Sequence, residues 1–173
     1  MPWKLRSDAA RSPAAVLTLK VALAADKDTW RRIAIRSDQS LDDLHEAIFK
    51  AFDRDEEHMY SFYLPKSPPK GELFLGAPWL QDAAEYSRPE GGEGIDAEQT
   101  RVGRLNLKPG QAILYLFDYG DEWWHEITVE AVDGQLEKGK YPRVVEKQGD
   151  SPDQYPDDED EDEHEEADDE PEE

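Results

Sequence analysis

The chain has 173 residues, which is room for one domain of ordinary size together with flanking tails. It contains no cysteine, so disulfide bonds, a cysteine nucleophile and thiolate metal sites are excluded. It has no run of about 20 apolar residues of the kind that spans a membrane, and no apolar stretch of signal-peptide length near its N-terminus. We therefore expect a cytoplasmic protein.

The net charge of −22 is distributed unevenly along the chain. Residues 150–173 include 16 acidic residues and no Lys or Arg, so the other 149 residues carry 26 acidic against 20 basic residues. Long blocks of like charge repel themselves and have little apolar surface to bury. We predict a flexible arm over 1–13, a single domain over 14–149 and a disordered acidic tail over 150–173. The acidic balance speaks against direct contact with nucleic acid.

The first part of the domain predicts a β-hairpin followed by a helix. Residues 16–23 place apolar side chains at period two, and residues 29–35 are rich in β-branched and aromatic side chains. Ser40 is a good N-cap for a helix over 41–52, whose apolar residues recur on one face at about 100° per residue. His45 lies within that apolar face, so we expect it to be buried and structural.

The middle of the domain gives weaker signals. Residues 59–64 predict a strand, and the prolines that follow end it. We expect a short strand over 72–75 and then a long loop over 76–99, with one helical turn near 82–86. A short helix is expected within 100–107.

The last part of the domain predicts a second hairpin. Residues 112–117 are apolar on both sides, which is typical of a central strand, and residues 123–132 return beside it after a turn at 118–121. Residues 141–145 add an edge segment. The expected fold class is α+β, a mostly antiparallel sheet with the 41–52 helix packed on one face.

The sequence FDYGDEWWHE at this second hairpin holds the densest group of candidate functional residues, namely Asp118, Asp121, Trp123 and His125. Carboxylates beside an imidazole can bind a divalent ion or act in general acid–base catalysis. Asp and Gly at a hairpin turn also serve backbone geometry. We favour the structural interpretation of this group.

Two histidines and two arginines complete the candidate cluster. His45 and His58 would join a metal site only if they converged with His125, and their spacing matches no compact zinc motif. We therefore assign no metal and no cofactor. Arg31 and Arg32 could clamp an anion, but we favour a salt bridge from them to the acidic hairpin.

Several segments together resemble the plasmid pRiA4b ORF-3-like family. They are WRRI at 30–33, LDDLHEAI at 41–48, YLFDYGDEW at 115–123 with HEI at 125–127, and YPR at 141–143. The segments follow in the family's order over about Ala14 to Pro142. The resemblance implies an α+β domain without an established biochemical activity, in a family that is linked by name to mobile elements.

The chain departs from the family pattern at a few positions. Many members have Gly-Trp after the helix, where this chain has Asp53 and Arg54. Tyr60 stands in place of a second histidine, and Val144 in place of a cysteine after YPR. A site that used that histidine or cysteine would be absent or rebuilt in this protein.

Our first functional hypothesis is a non-catalytic binding or accessory module that acts through a protein partner. The alternatives are a metal-dependent hydrolase, which could act on nucleic acid, and an accessory factor of a mobile element. The hydrolase would place Asp118, Asp121 and His125, with His45 or His58, around an open pocket at metal-binding distance. A binding module would hold the same residues in side-chain hydrogen bonds.

Overall fold

The computed structural model describes residues 14–66, 78–89 and 94–155. The expected arm over 1–13, the expected strand over 72–75 and the acidic tail after Tyr155 lie outside these residues. The elements are β1 (Val16–Leu23), β2 (Trp30–Arg36), α1 (Leu41–Ala51), β3 (Tyr60–Leu64), β4 (Ala84–Ser87), β5 (Ile95–Asp96), β6 (Ala112–Phe117), β7 (Trp123–Gly134) and β8 (Arg143–Gln148).

The strands form one eight-stranded sheet in the order β5-β4-β3-β6-β7-β1-β2-β8. Neighbouring strands are antiparallel except β4 and β5, which are parallel. The expected β1–β2 hairpin and the central position of β6 are both confirmed. The described part contains no helix long and apolar enough to cross a membrane.

Helix α1 begins at the expected residue for the expected reason. The Ser40 hydroxyl accepts a hydrogen bond from the Asp43 N–H, and the Asp43 carboxylate accepts one from the Ser40 N–H, which is a capping box. The helix buries Leu41, Leu44 and Ile48 against the sheet. The predicted α+β class, with one helix on one face of the sheet, is therefore confirmed.

The core lies between α1 and one face of the central strands. Alternate residues of each strand face it, as the period-two pattern requires. They include Leu19 and Val21 of β1, Ile113, Tyr115 and Phe117 of β6, and Ile127 and Val129 of β7. Burying one such side chain stabilises the fold by roughly 1.5–3 kcal/mol.

The stretch that was expected to be a loop contains two strands. Residues 84–87 form β4 rather than a helical turn, because they pair with Ser61–Leu64 of β3. A strand of four residues is too short for its own sequence to show periodicity, so only the pairing reveals it. The expected short helix within 100–107 is a 3₁₀ helix, Val102–Leu105.

The first residues of the expected acidic tail contact the domain. Arg31 Nη2 donates to the Ser151 hydroxyl at 2.9 Å. The Gln154 side-chain oxygen accepts from the backbone N–H groups of Asp55, at 2.7 Å, and Glu56, at 3.0 Å. The chain is therefore attached to the loop after α1 as far as Tyr155.

Candidate functional site

The turn between β6 and β7 is shaped by Asp118. Asp118 and Glu122 have positive φ angles of 63° and 53°, in the left-handed region where Asp is better tolerated than most residues. The Asp118 Oδ1 atom accepts from the N–H groups of Gly120 at 3.0 Å and Asp121 at 3.2 Å. Asp118 is buried, whereas Asp121 is exposed. Asp118 thus has the backbone role that was expected for an acid in this turn.

The predicted salt bridge from Arg31 or Arg32 to this turn is wrong. Arg31 is buried and donates to the carbonyl groups of Ala51 and Gln148, each at 2.9 Å. Arg32 points to the opposite face and pairs with Glu130 and Glu146. The sheet order explains the error, because β7 and β1 lie between β6 and β2.

His45 is fully buried, as predicted, and both of its ring nitrogens have partners. Nε2 lies 2.5 Å from the Glu57 carboxylate, and Nδ1 lies 2.6 Å from the Tyr115 hydroxyl. A carboxylate only accepts hydrogen bonds, so Nε2 carries the proton, and in the neutral ring Nδ1 accepts from Tyr115. The ring also stacks on Tyr60 with centroids 3.8 Å apart.

The polar network continues from Tyr60 to Arg88. The Tyr60 hydroxyl donates to Asp42 at 2.5 Å, and Arg88 Nε donates to the same oxygen at 2.8 Å. Burial raises the pKa of Asp42, but the hydrogen bonds from Arg88 and Tyr60 outweigh it and hold the pKa below its usual value. Burial likewise opposes ionisation of Glu57, but the hydrogen bond from His45 lowers its pKa overall.

Arg88 is surrounded by carboxylates. Besides Asp42, its guanidinium lies 3.7 Å from Glu57, 3.9 Å from Glu46 and 4.0 Å from Glu98. Burial disfavours the charged form, but the hydrogen bond and charge of Asp42 outweigh this, so the pKa of Arg88 is raised. This arginine therefore neutralises acids of its own domain, and the acids around it remain in excess.

A cavity of about 410 Å³ opens beside this network. It is lined by Glu57, His58, Met59, Tyr60, Arg88, Asp118, Tyr119 and Gly120. His58 Nε2 lies 3.5 Å from Asp118 Oδ2 and 2.7 Å from the Tyr155 hydroxyl, so the attached C-terminal segment reaches the cavity wall. Of the predicted candidate residues, Asp118 and His58 thus meet at this pocket.

His125 and Trp123 do not line this cavity but lie beside the buried Arg54. The Arg54 guanidinium carbon lies 4.0 Å from the centroid of the Trp123 ring. His125 lies in the core between Phe52 and Tyr115, with centroid distances of 5.2 and 5.0 Å. Burial lowers the pKa of His125 to about 3, with a further contribution from the Arg54 charge, so its ring is neutral at physiological pH.

The metal centre of the hydrolase hypothesis is not formed by the predicted residues. His125 is in the core, Asp121 is exposed, and Asp118 is engaged by the turn. Across residues 14–66, 78–89 and 94–155, no three His, Asp or Glu side chains are grouped so as to hold a metal ion. The structure instead places His45 and His58 each beside one carboxylate and one phenol.

Sequence reasoning missed Asp42, Glu57, Tyr60 and Arg88. Asp42 has the sequence position of an exposed first-turn acid, yet 16% of its side-chain surface is exposed. Arg88 stands at the end of a strand that the sequence did not predict. His45 was the one sequence signal for this polar network, because a histidine in the apolar face of a helix needs buried hydrogen-bond partners.

These features define an α+β sheet protein with one helix on one face and an acidic, aromatic-walled pocket beside β3 and β6. The family model described as plasmid pRiA4b ORF-3-like protein matches residues 15–166, so the chain belongs to that family.

Among solved structures, the chain is similar to the crystal structure of MM3350, a protein of unknown function from Methanosarcina mazei Go1. The TM-score is 0.62 and the identity 21%, over 83% of this chain and 74% of that one. At that identity the similarity shows the fold alone. No curated protein matches this chain.

Proposed function

We propose that this protein is a non-catalytic binding module whose pocket takes a Lys or Arg side chain from a basic segment of a protein partner. The observation that carries the proposal is the charge balance of the pocket. Among the described residues, Glu57 and Asp118 line it together with one arginine, Arg88, which is already surrounded by carboxylates. An excess of negative charge in a concave site attracts a cation.

The pocket walls suit a long cationic side chain. Tyr119, which is partly exposed, supplies aromatic surface, and Met59, which is half exposed, supplies an apolar rim. The aliphatic stem of Lys or Arg packs on such surface while its charged end reaches an acid, and an aromatic face adds a cation–π attraction. The cavity volume lies in the lower part of the usual range for ligand pockets.

The charge of the whole chain supports a basic macromolecular partner. The net charge of −22 creates a long-range field that speeds association with a basic protein and is screened by salt. The family description mentions a plasmid. The word plasmid supports a second candidate function, in which such a module acts as an accessory factor of a mobile element.

The test begins with a displayed library of random decapeptides. We expect the selected peptides to share a Lys or Arg whose replacement by norleucine abolishes binding. Affinity is then measured by fluorescence polarisation on synthetic peptides with three forms of the protein: the original chain, Asp118→Asn and Asp121→Asn. Asn at 118 keeps the Oδ1 acceptor and tolerates the positive φ.

Asp118→Asn is expected to weaken binding about tenfold or more, equivalent to about 1.4 kcal/mol. Asp121→Asn is the matched control, because it removes the same charge from an exposed position of the same turn. Selection of neutral or acidic peptides, or equal losses in the two variants, would contradict the proposal.

A further inference from the structure

Gln154 is a buried polar side chain that bonds the backbone of the loop between α1 and β3. Its residue surface is only 5% exposed. Its side-chain oxygen accepts from the N–H groups of Asp55 at 2.7 Å and Glu56 at 3.0 Å, and its nitrogen donates to the Glu56 carbonyl at 2.9 Å. A side-chain amide combines an acceptor with donors. It therefore holds two successive loop residues much as a paired strand would.

The loop that this glutamine holds forms one wall of the acidic pocket. The consecutive residues 57–60 all line the cavity. In a regular strand successive side chains point to opposite faces, so this wall requires an irregular backbone. The two ends of the loop are fixed by main-chain hydrogen bonds, from the Arg54 N–H to the Phe49 carbonyl at 3.1 Å and from the Asp118 N–H to the Met59 carbonyl at 2.8 Å. The buried glutamine holds the backbone between them.

The C-terminal segment, residues 151–155, also reaches the pocket wall at a second point. The Tyr155 hydroxyl donates to the Glu56 carboxylate at 2.9 Å and lies 2.7 Å from Nε2 of His58. A phenol has one hydrogen, so it accepts from His58, whose Nε2 carries a proton. The segment therefore bonds residues on both sides of Glu57, one of the two acids assigned to the partner's cation.

We propose that Gln154 is a positioning residue of the pocket, whose amide fixes the loop backbone so that Glu57 and His58 take their places in the pocket wall. The inference rests on the proposed function and adds the C-terminal segment to the binding site. His45 holds the Glu57 carboxylate from the core, whereas Gln154 sets the path of the backbone. Because ligand binding and attachment of the segment favour the same loop conformation, each strengthens the other.

The test compares Gln154→Leu with a matched control, Gln39→Leu, in the full chain. The Gln39 side chain also bonds two backbone groups, accepting from the Arg36 N–H at 3.0 Å and donating to the Tyr141 carbonyl at 2.7 Å. Gln39 does not line the pocket and precedes the other end of α1. Both variants should lower the Tm by a few degrees, so a difference between them in the pocket is not an effect of stability.

The first readout needs no ligand. In ¹H–¹⁵N spectra, Gln154→Leu should shift the amides of Tyr119 and Gly120, which lie on the turn across the pocket and which Gln154 does not bond. Gln39→Leu should leave them in place. Unchanged turn amides in Gln154→Leu, or the same shifts in both variants, would overturn the inference.

The second readout is the affinity for a single-lysine peptide, measured by fluorescence polarisation well below the Tm of each variant. Gln154→Leu should raise the Kd about five- to tenfold, because a loosened supporting contact misplaces the groups that bind. Gln39→Leu should leave the Kd within about twofold of the original value. An unchanged Kd in Gln154→Leu would overturn the inference.

A second variant keeps the test decisive if Gln154→Leu does not fold. Gln154→Glu keeps the oxygen that accepts from two N–H groups but loses the donor to the Glu56 carbonyl, so it should raise the Kd about two- to threefold. An unchanged Kd there would equally overturn the inference. If the original chain binds no lysine peptide while the turn amides still shift in the Gln154 variant, the proposed function fails and the positioning of the loop by Gln154 stands.

Discussion

Two buried polar regions lie on the helix side of the sheet, and both contact Phe117. Around His45, each ring nitrogen meets an oxygen, and the network ends on ionised carboxylates. Around His125, no side chain of the described residues hydrogen-bonds either ring nitrogen, and Nη1 and Nη2 of the nearby Arg54 likewise lack hydrogen-bond partners there. Two histidines with nearly identical burial thus have opposite surroundings, and the surroundings decide their roles.

The largest expected effect is at His45, both of whose ring nitrogens have hydrogen-bond partners. His45→Ala should lower the free energy of unfolding by on the order of 3 kcal/mol, because it leaves a cavity and removes the partner of the Tyr115 hydroxyl. Urea denaturation at neutral pH measures the loss. His58→Ala is the control; about a third of the His58 side chain is exposed, so the loss there should stay below about 1 kcal/mol.

A double-mutant cycle checks that the His45 effect comes from its hydrogen bonds. Tyr115→Phe removes only the hydroxyl that faces Nδ1. In the His45→Ala background it should cost about 1 kcal/mol less than in the original chain. Additive losses would show that His45 acts through ring packing alone.

His125 should make stability depend on pH. Its folded pKa, about 3, lies below the ordinary value of 6.5, so the unfolded chain binds the proton more tightly. Stability is therefore complete above the unfolded pKa and falls as the pH drops below about 6.5, by up to about 1.4 kcal/mol per pH unit. Urea denaturation between pH 7 and pH 4.5 measures the slope.

His125→Leu should flatten that slope above pH 4.5. Below about pH 4.5 the lowered pKa values of Asp42 and Glu57 add a second loss, because these carboxylates are then protonated as the pH falls through their folded pKa. An unchanged slope in His125→Leu would mean that other groups cause the dependence above pH 4.5.

A smaller effect is expected from the C-terminal segment. A chain ending at Gly149 loses the contacts of Ser151, Gln154 and Tyr155, which should cost about 1–2 kcal/mol. A chain ending at Tyr155 should melt within a few degrees of the full chain, because the residues beyond it are almost entirely polar. Equal stability of the two truncated chains would show that the segment contributes nothing.

The smallest effect is expected at Arg32. Its ion pairs with Glu130 and Glu146 lie near the surface, so Arg32→Gln should change stability by less than about 1 kcal/mol. Arg31→Gln, one residue earlier on β2, should cost more, because a buried guanidinium bonds the carbonyls of Ala51 and Gln148. A larger loss for Arg32→Gln than for Arg31→Gln would contradict the placement of Arg31 on the buried face of β2 and Arg32 on the face near solvent.

The sequence predicted the elements whose signals are local. Ser40 with Asp43, the apolar face of α1 and the alternation in β1 and β7 each specify structure within one segment. The strand β4 was missed because four residues acquire their conformation only by pairing with β3.

The site was predicted less well, for the same reason. Arg88 contacts Asp42, which is 46 residues away in the sequence, and no sequence pattern near Arg88 predicts that contact. The predicted Arg31 partner was wrong because the sequence of a single strand does not determine which strands lie beside it in the sheet. Asp118 and His58 were both among the predicted candidate residues, but the pocket that they line forms only once β3 and β6 pair.

The most direct test of the central claim, that the acidic pocket receives a cationic side chain, is an NMR titration of the ¹⁵N-labelled full chain with a blocked lysine peptide. We predict shift changes centred on the amides of Met59, Tyr119 and Gly120, with none at Lys147 on the far edge of the sheet. The same peptide with Nζ-acetylated lysine should leave those amides unchanged. Equal shifts with the acetylated peptide, or shifts centred away from the pocket, would contradict the account.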